Sequence, residues 1–209
     1  SSKGAVQNGP LEGAFAFLDL HTGSNFQGDG LYNSLTEEGE LTGAIGSVNG
    51  AGGYSLTEPV SGGYTLIATT SAATIDTTSN TAYGAGITLK APAGATKITP
   101  QTTMIEAVVT AASVSSGSAA TAADIATASA TIAKVMGITL PAGETLATYD
   151  AYAAGADAAV ALSVQKANNN VMTVVKTMAF AAQGAGVTNA ADASKLAFDG
   201  MFQAISDRA

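Results

Sequence analysis

The segment LKAPAGATKITPQTTMIEAVV, residues 89–109, marks the point where strand-like patterning gives way to helix-like patterning. Its first part is a short strand pattern that ends at Pro92 and Gly94. Thr99 is then a natural N-cap, and Pro100 suits the first position of a helix because an N–H there would have no helical partner. The apolar residues that follow recur at helical spacing: Met104, Ile105, Val108 and Val109. The segment therefore predicts strands on its N-terminal side and a helix on its C-terminal side.

The residues before this junction carry short runs that are typical of β-strands. Three of them are GAFAFLDL (residues 13–20), GGYSLTEPV (52–60) and GGYTLIATTSAATI (62–75). Glycine and proline turn signals recur at intervals of about ten residues, which is the rhythm of a small β-sandwich or barrel. We therefore predict a β-sandwich domain at residues 1–98.

The residues after the junction predict a helical bundle. A second helix is expected from about Ala120 to Met136, a long helix from about Asp157 to Ala182, and a last helix from about Asn189 onwards. Together with the helix at the junction, these make a domain of four or five helices at residues 99–209. The predicted fold class is therefore α+β in two parts, with a β-sandwich followed by an α-helical bundle.

Composition argues against several classes of function. The chain of 209 residues has a net charge of -8 and only 8 Lys and Arg residues, so it lacks the cationic side chains that bind nucleic acid. No apolar run approaches the roughly 18 residues of a membrane span. There is no cysteine, and the one histidine, His21, lies in a glycine-rich loop where we expect it to be exposed. Zinc and a Ser-His-Asp site are therefore disfavoured, and we expect no enzyme.

A loop rich in oxygen-bearing side chains follows the GAFAFLDL strand. It has the sequence HTGSNFQGDGLYNSLTEE, residues 21–38. When Asn25 is placed first in a twelve-residue calcium loop, glycine falls at the sixth position, as such a loop requires. The other candidate ligands before the closing acid are Gln27, Asp29, Leu31 through its backbone carbonyl, and Asn33. Glu37 follows one residue late as the closing acid. The alternative is a solvated polar loop with Asx turns, and the residues alone leave both interpretations open.

Four short motifs resemble repeats of large secreted bacterial surface proteins and adhesins: GPLEGAFAFLDL, QGDGLYN, EEGE and NGAGGYSL. The junction segment and residues 135–171 look like the regions that follow such repeats. Those repeats are immunoglobulin-like β-sandwiches that Ca²⁺ stabilises. The resemblance therefore implies an immunoglobulin-like sandwich, a bound Ca²⁺, and a secreted, extracellular protein at the cell surface. Combined with the loop pattern, it makes the candidate ligands Asp19, Asn25, Gln27, Asp29, Leu31, Asn33, and Glu37 or Glu38.

The function expected from these features is structural. We expect a non-catalytic, calcium-stabilised module of a bacterial surface or matrix assembly, either an adhesin segment or a self-assembling filament or surface-layer subunit. Its partners would be further copies or neighbouring repeats.

Two further alternatives stay open at this stage. The chain is a glycan- or peptide-binding module if its aromatic residues are exposed and stack on a ligand. Those residues are Phe26, Tyr32, Tyr54, Tyr64, Tyr83, Tyr149 and Tyr152. The N-terminal segment SSKGAVQNG, residues 1–9, either adds as a strand to a neighbouring molecule or pairs within its own sheet.

Overall fold

The computed structural model describes residues 1–207 and has the α+β class expected from the sequence. Ten strands in three sheets and four helices make up the described part. The strands are β1 (Ser2–Val6), β2 (Leu11–Glu12), β3 (Phe15–Leu20), β4 (Gly39–Leu41), β5 (Gly53–Leu56), β6 (Tyr64–Thr69), β7 (Ile75–Asp76), β8 (Thr81–Ala82), β9 (Thr88–Pro92) and β10 (Lys97–Ile98). The helices are α1 (Pro100–Ser116), α2 (Ala122–Val135), α3 (Ala158–Gly184) and α4 (Ala190–Ser206).

The largest sheet has β3 and β6 at its centre. Its four strands follow the order β4-β3-β6-β9, and all its pairings are antiparallel. A three-stranded sheet has β1 in the middle, antiparallel to β5 and parallel to β10. A third sheet joins the short strands β2, β7 and β8.

Side-chain alternation gives the four-stranded sheet two different faces. One face contributes Ala16, Leu18 and Leu66 to the main hydrophobic cluster of the protein. On the opposite face Asp19 of β3 pairs with Thr65 of β6. The register therefore turns the single carboxylate of β3 away from the main cluster.

Helix α1 begins at the predicted cap. Thr99 Oγ1 accepts a hydrogen bond from the N–H of Thr102, and Thr102 Oγ1 accepts one from the N–H of Thr99. This reciprocal cap satisfies two donors that a helix start would otherwise leave unpaired. The helix ends at Gly117, whose φ of +71° is the left-handed conformation that favours glycine. None of the four helices within residues 1–207 combines the length and the apolar character needed to cross a bilayer.

Helix α1 also covers the edge strand β9. The N–H of Lys90 donates to Thr103 Oγ1 at 2.9 Å, and Thr102 Oγ1 donates to the Lys90 carbonyl at 2.7 Å. These bonds occupy backbone groups that an uncovered edge would offer to another chain. Ile98 and Thr99, which connect the last strand to α1, are buried. The junction is therefore a packed connection.

One hydrophobic cluster contains residues from both parts of the chain. It includes Leu18 of the sheet, Ile105 of α1 and Val175 of α3. Strands end and helices begin at the junction that the sequence indicates, with β10 ending at Ile98 and α1 starting at Pro100. A division into separate domains at 1–98 and 99–209 stays a prediction.

The N-terminal segment pairs within its own chain. β1 is the middle strand of its sheet, the N–H of Ala5 donates to the Thr96 carbonyl at 3.0 Å, and the N–H of Val6 donates to the Gly52 carbonyl at 2.9 Å. Val6 itself is fully buried. Of the two arrangements expected for this segment, the structure therefore has the internal one.

This placement makes Val6 a test of the sheet. We expect Val6→Ala to lower the free energy of unfolding by about 2–3 kcal/mol, because it removes two buried methyl groups from the middle strand. The same substitution at Val60, which is fully exposed, should change it by less than about 0.5 kcal/mol. Urea denaturation of both variants measures the difference. Equal, small effects would show that β1 is not held in the sheet.

Candidate cation site

Asp19 is a buried carboxylate at the end of β3. Its side chain is only 3% exposed. Oδ2 accepts a hydrogen bond from the N–H of Gly30 at 3.1 Å, whereas Oδ1 has no hydrogen-bond partner among the described residues. Burial raises the pKa of Asp19 to about 6, and repulsion from Glu37 and Asp29 acts in the same direction. The ionised form of Asp19 is therefore poorly compensated by the protein alone.

The loop closes tightly over this carboxylate. Gly28 lies directly against it, because a Cβ atom at position 28 would overlap Oδ1 of Asp19. Gly30, which supplies the hydrogen bond, has a φ of +76°, a conformation that a side chain disfavours. Gly28 thus lets the loop backbone approach Asp19 closely, and Gly30 provides the left-handed turn beside it.

Glu37 ties the far end of the loop back to β3. Its Oε1 accepts a hydrogen bond from the N–H of Leu20 at 3.0 Å, and its Oε2 accepts one from the N–H of Asn33 at 2.8 Å. Glu38 is exposed. Of these two acids, Glu37 is the one whose carboxylate is hydrogen-bonded to the loop and to β3, and which of them would bind a cation stays a prediction.

The remaining candidate ligands lie at the surface. Asp29 Oδ1 accepts from the N–H of Leu31 at 2.9 Å, and Asn33 Oδ1 accepts from the N–H of Leu35 at 3.0 Å. These are the Asx turns that the plain polar-loop interpretation predicts. Asn25 and Gln27 are exposed as well.

The candidate ligands offer oxygen as the donor atom, which is the donor that a hard cation such as Ca²⁺ prefers. In residues 1–207 no three His, Asp or Glu side chains are grouped as a metal centre would require. A cation here would need oxygen ligands in addition to the carboxylates of Asp19 and Glu37, and Ca²⁺ accepts such an all-oxygen set. The partnerless Oδ1 of Asp19 is the atom that fits such an ion.

A second buried acid, on helix α1 beside the same sheet face, was missed from the sequence. Glu106 of α1 is 7% exposed, and its Oε1 accepts the hydroxyls of Thr65 at 2.7 Å and Thr110 at 3.2 Å. Burial raises the pKa of Glu106 to about 7, while the two hydroxyl bonds lower it and the charge of Asp19 raises it. A signal was present, because Glu106 is the only charged residue between Lys97 and Asp124.

His21 differs from the expectation of an exposed side chain. It is half-buried, and its Nε2 lies 3.0 Å from Thr65 Oγ1. Burial lowers the pKa of His21, which favours the neutral ring. Its side chain therefore contacts the sheet face that carries Asp19 and Thr65, beside Glu106 of α1.

Comparison with protein-family models, with curated proteins and with solved structures finds no match to this chain in any of the three. The resemblance to calcium-stabilised bacterial surface repeats therefore stays an expectation drawn from the motifs.

The raised pKa of Glu106 contributes to the pH dependence of stability in cation-free solution. The neutral form of Glu106 stabilises the folded protein. This contribution is complete below the ordinary pKa of 4.5 and is lost as pH rises through the folded-state pKa of about 7. Relative to Glu106→Gln, wild type should lose about 3 kcal/mol between pH 4.5 and pH 8, at 1.36 kcal/mol per pKa unit. Urea denaturation in the presence of a chelator measures this.

Glu38→Gln is the matched control, because it removes the same charge from an exposed position. If Glu106→Gln and Glu38→Gln shift stability equally at every pH, Glu106 is not a buried acid in solution.

Proposed function

We propose that the chain is a non-catalytic, calcium-stabilised structural module of an extracellular bacterial surface or matrix assembly. The observation that carries this proposal is the buried Asp19 carboxylate, whose Oδ1 has no partner among the described residues beneath an oxygen-rich loop. Leaving a buried carboxylate oxygen unpaired is costly, whereas a bound Ca²⁺ would satisfy it and cancel the repulsion from Asp29 and Glu37.

The setting at a cell surface rests on the sequence motifs. The expected immunoglobulin-like sandwich is supported by the four-stranded sheet and the sheet of β1, β5 and β10, because Leu66 of the first and Val6 of the second belong to the same hydrophobic cluster. The net charge of -8 favours the binding of cations in general. Secretion and surface attachment follow from the resemblance.

Self-association is the partner relation that the surface supports best. The loop and the adjoining edge strand β4 expose three leucines, Leu31, Leu35 and Leu41, at 70%, 92% and 67%. A cation that orders the loop would hold two of them in place for contact with a further copy or a neighbouring repeat. Assembly would then depend on calcium.

The alternative of glycan or peptide binding has less support. Most of the aromatic residues considered for stacking are buried: Tyr54, Tyr64, Tyr83 and Tyr149. The observation in its favour is a groove of about 470 Å³ beside β1, where Tyr152 lies near the ion pair of Lys97 and Asp150 at 3.2 Å. A glycan array with the intact chain tests it, and the absence of any signal would remove it.

Calcium binding is tested by thermal unfolding with Ca²⁺ or with a chelator. Calcium at about 100 times its dissociation constant should stabilise wild type by about 2.7 kcal/mol, which raises Tm by about 5–10 °C for a chain of this size. Asp19→Asn should abolish this response. In chelator, the same variant should be at least as stable as wild type at pH 7.5, because it removes a buried charge.

Loss of the calcium response without loss of stability in chelator would identify Asp19 as a ligand, because a residue needed only for packing would destabilise the protein when replaced. Asp192→Asn, in the first turn of α4, is the control for net charge and should respond to calcium as wild type does. A wild-type Tm that is the same with calcium and with chelator would leave residues 21–38 as a plain polar loop.

Calcium-dependent assembly is tested by light scattering at high protein concentration. We expect the particle mass of wild type to rise with calcium and the mass of Leu35→Ser to stay that of a monomer, because the variant removes an exposed apolar contact. Val60→Ser, at another exposed apolar residue, is the control. A monomeric wild type under all conditions would disprove assembly by this chain and favour the adhesin segment.

A further inference from the structure

Three side chains connect helix α1 to the start of the candidate cation loop. Thr65 Oγ1 donates to Glu106 Oε1 at 2.7 Å, and His21 Nε2 lies 3.0 Å from the same hydroxyl oxygen. Because the Thr65 hydroxyl has one proton and gives it to Glu106, the ring of His21 supplies the proton of the second bond from Nε2. We refer to these three residues as the His21–Thr65–Glu106 network.

Each member of this network is held in place by further contacts. Glu106 also accepts the hydroxyl of Thr110, one turn later in α1. Thr65 is 3% exposed and sits in the centre of the sheet, directly opposite Asp19. The N–H of His21 donates to the Gly63 carbonyl at 2.9 Å, and a Cβ atom at position 63 would overlap the His21 ring. The network is therefore held in one arrangement by contacts on the sheet face and on helix α1.

We propose that Glu106 is a positioning residue of the cation site, and that cation binding by the loop is coupled through Thr65 and His21 to the docking of helix α1. This inference rests on the proposed function. His21 is the first residue of the loop and follows Asp19 by two positions. A shift of the loop start therefore breaks the bond to Thr65, and a shift of α1 removes the acceptor that orients the Thr65 hydroxyl.

Such coupling acts in both directions. A divalent cation that fixes the loop slows the opening of α1, and loss of the Thr65 hydroxyl weakens cation binding. One hydrogen bond corresponds to a change of about threefold to tenfold in the dissociation constant.

Hydrogen–deuterium exchange of the full chain, with Ca²⁺ or with chelator, tests the proposal in wild type. We expect calcium to slow amide exchange in residues 22–38 and also in α1, by several-fold more than in the β7–β8 pair. That pair lies in the third sheet and serves as the internal reference.

Two threonines on the same face of β6 provide matched variants. Thr65→Val keeps the shape of the side chain and removes both hydrogen bonds of the network, to His21 and to Glu106. It should raise the calcium dissociation constant threefold to tenfold and abolish the calcium effect on α1, while the loop is still protected. Thr69→Val, four residues along the strand, should behave as wild type.

Conservative replacement of the acid separates positioning from simple packing. Glu106→Gln retains a side-chain oxygen that can accept from Thr65 and should keep the calcium effect on α1, whereas Glu106→Leu should lose it. Calcium protection confined to the loop in wild type, or equal behaviour of Thr65→Val and Thr69→Val, would overturn the coupling and leave the cation site standing. A wild-type chain that shows no calcium effect in any segment would overturn both.

Discussion

Burial of the Asp19 carboxylate is the constraint on which the candidate site depends. The alternation of β3 places Leu18 in the main hydrophobic cluster, so its neighbour Asp19 must point to the other face. There the loop shields the carboxylate from water but gives it only one hydrogen bond, from Gly30. A buried carboxylate in this state must either take up a proton or acquire a positive partner. Gly28 permits the close approach of the loop to this carboxylate, and Gly30 takes the left-handed conformation from which its N–H reaches Asp19.

The two buried acids on this face differ in how they are satisfied. Glu106 has two hydroxyl donors on one oxygen, and burial still raises its pKa to about 7. Asp19 has an oxygen with no donor among the described residues. Lys90 attracts both carboxylates, yet it forms no ion pair with either in residues 1–207. The nearby charge of Lys90 therefore offsets part of the repulsion between the acids but leaves Asp19 Oδ1 without a hydrogen-bond partner. For this reason we assign the ligand role to Asp19 and the positioning role to Glu106.

The sequence predicted the features that depend only on residues close together along the chain. Thr99 and Pro100 identified the start of α1, because a helix cap involves only a few consecutive residues. Gly30 identified the turn in the loop for the same reason. The bond between Thr65 and Glu106 joins residues 41 positions apart, so no local pattern could place it. The contact that distinguishes Glu37 from Glu38 likewise involves the N–H of Leu20, on the far side of the loop.

The aromatic residues illustrate the same limit. Tyrosine suits both an exposed stacking site and a partly polar core, so its position along the chain does not separate the two. Tyr54 is fully buried because it pairs with Gly4 of β1, where the missing side chain leaves room for its ring. That contact exists only once residues 1–9 pair inside their own sheet, an arrangement that the sequence alone left open.

The coverage of strand edges limits how this chain can meet another copy. Helix α1 occupies the β9 edge through Lys90, and β1 lies between β5 and β10. The other edge of the large sheet is the three-residue strand β4, which offers little backbone for strand addition. For the large sheet, contact through side chains therefore fits better than contact through extended backbone pairing. The exposed leucines of the loop and of β4 lie where such a contact would also sense the order of the loop, so the cation site and the contact surface would act as one unit.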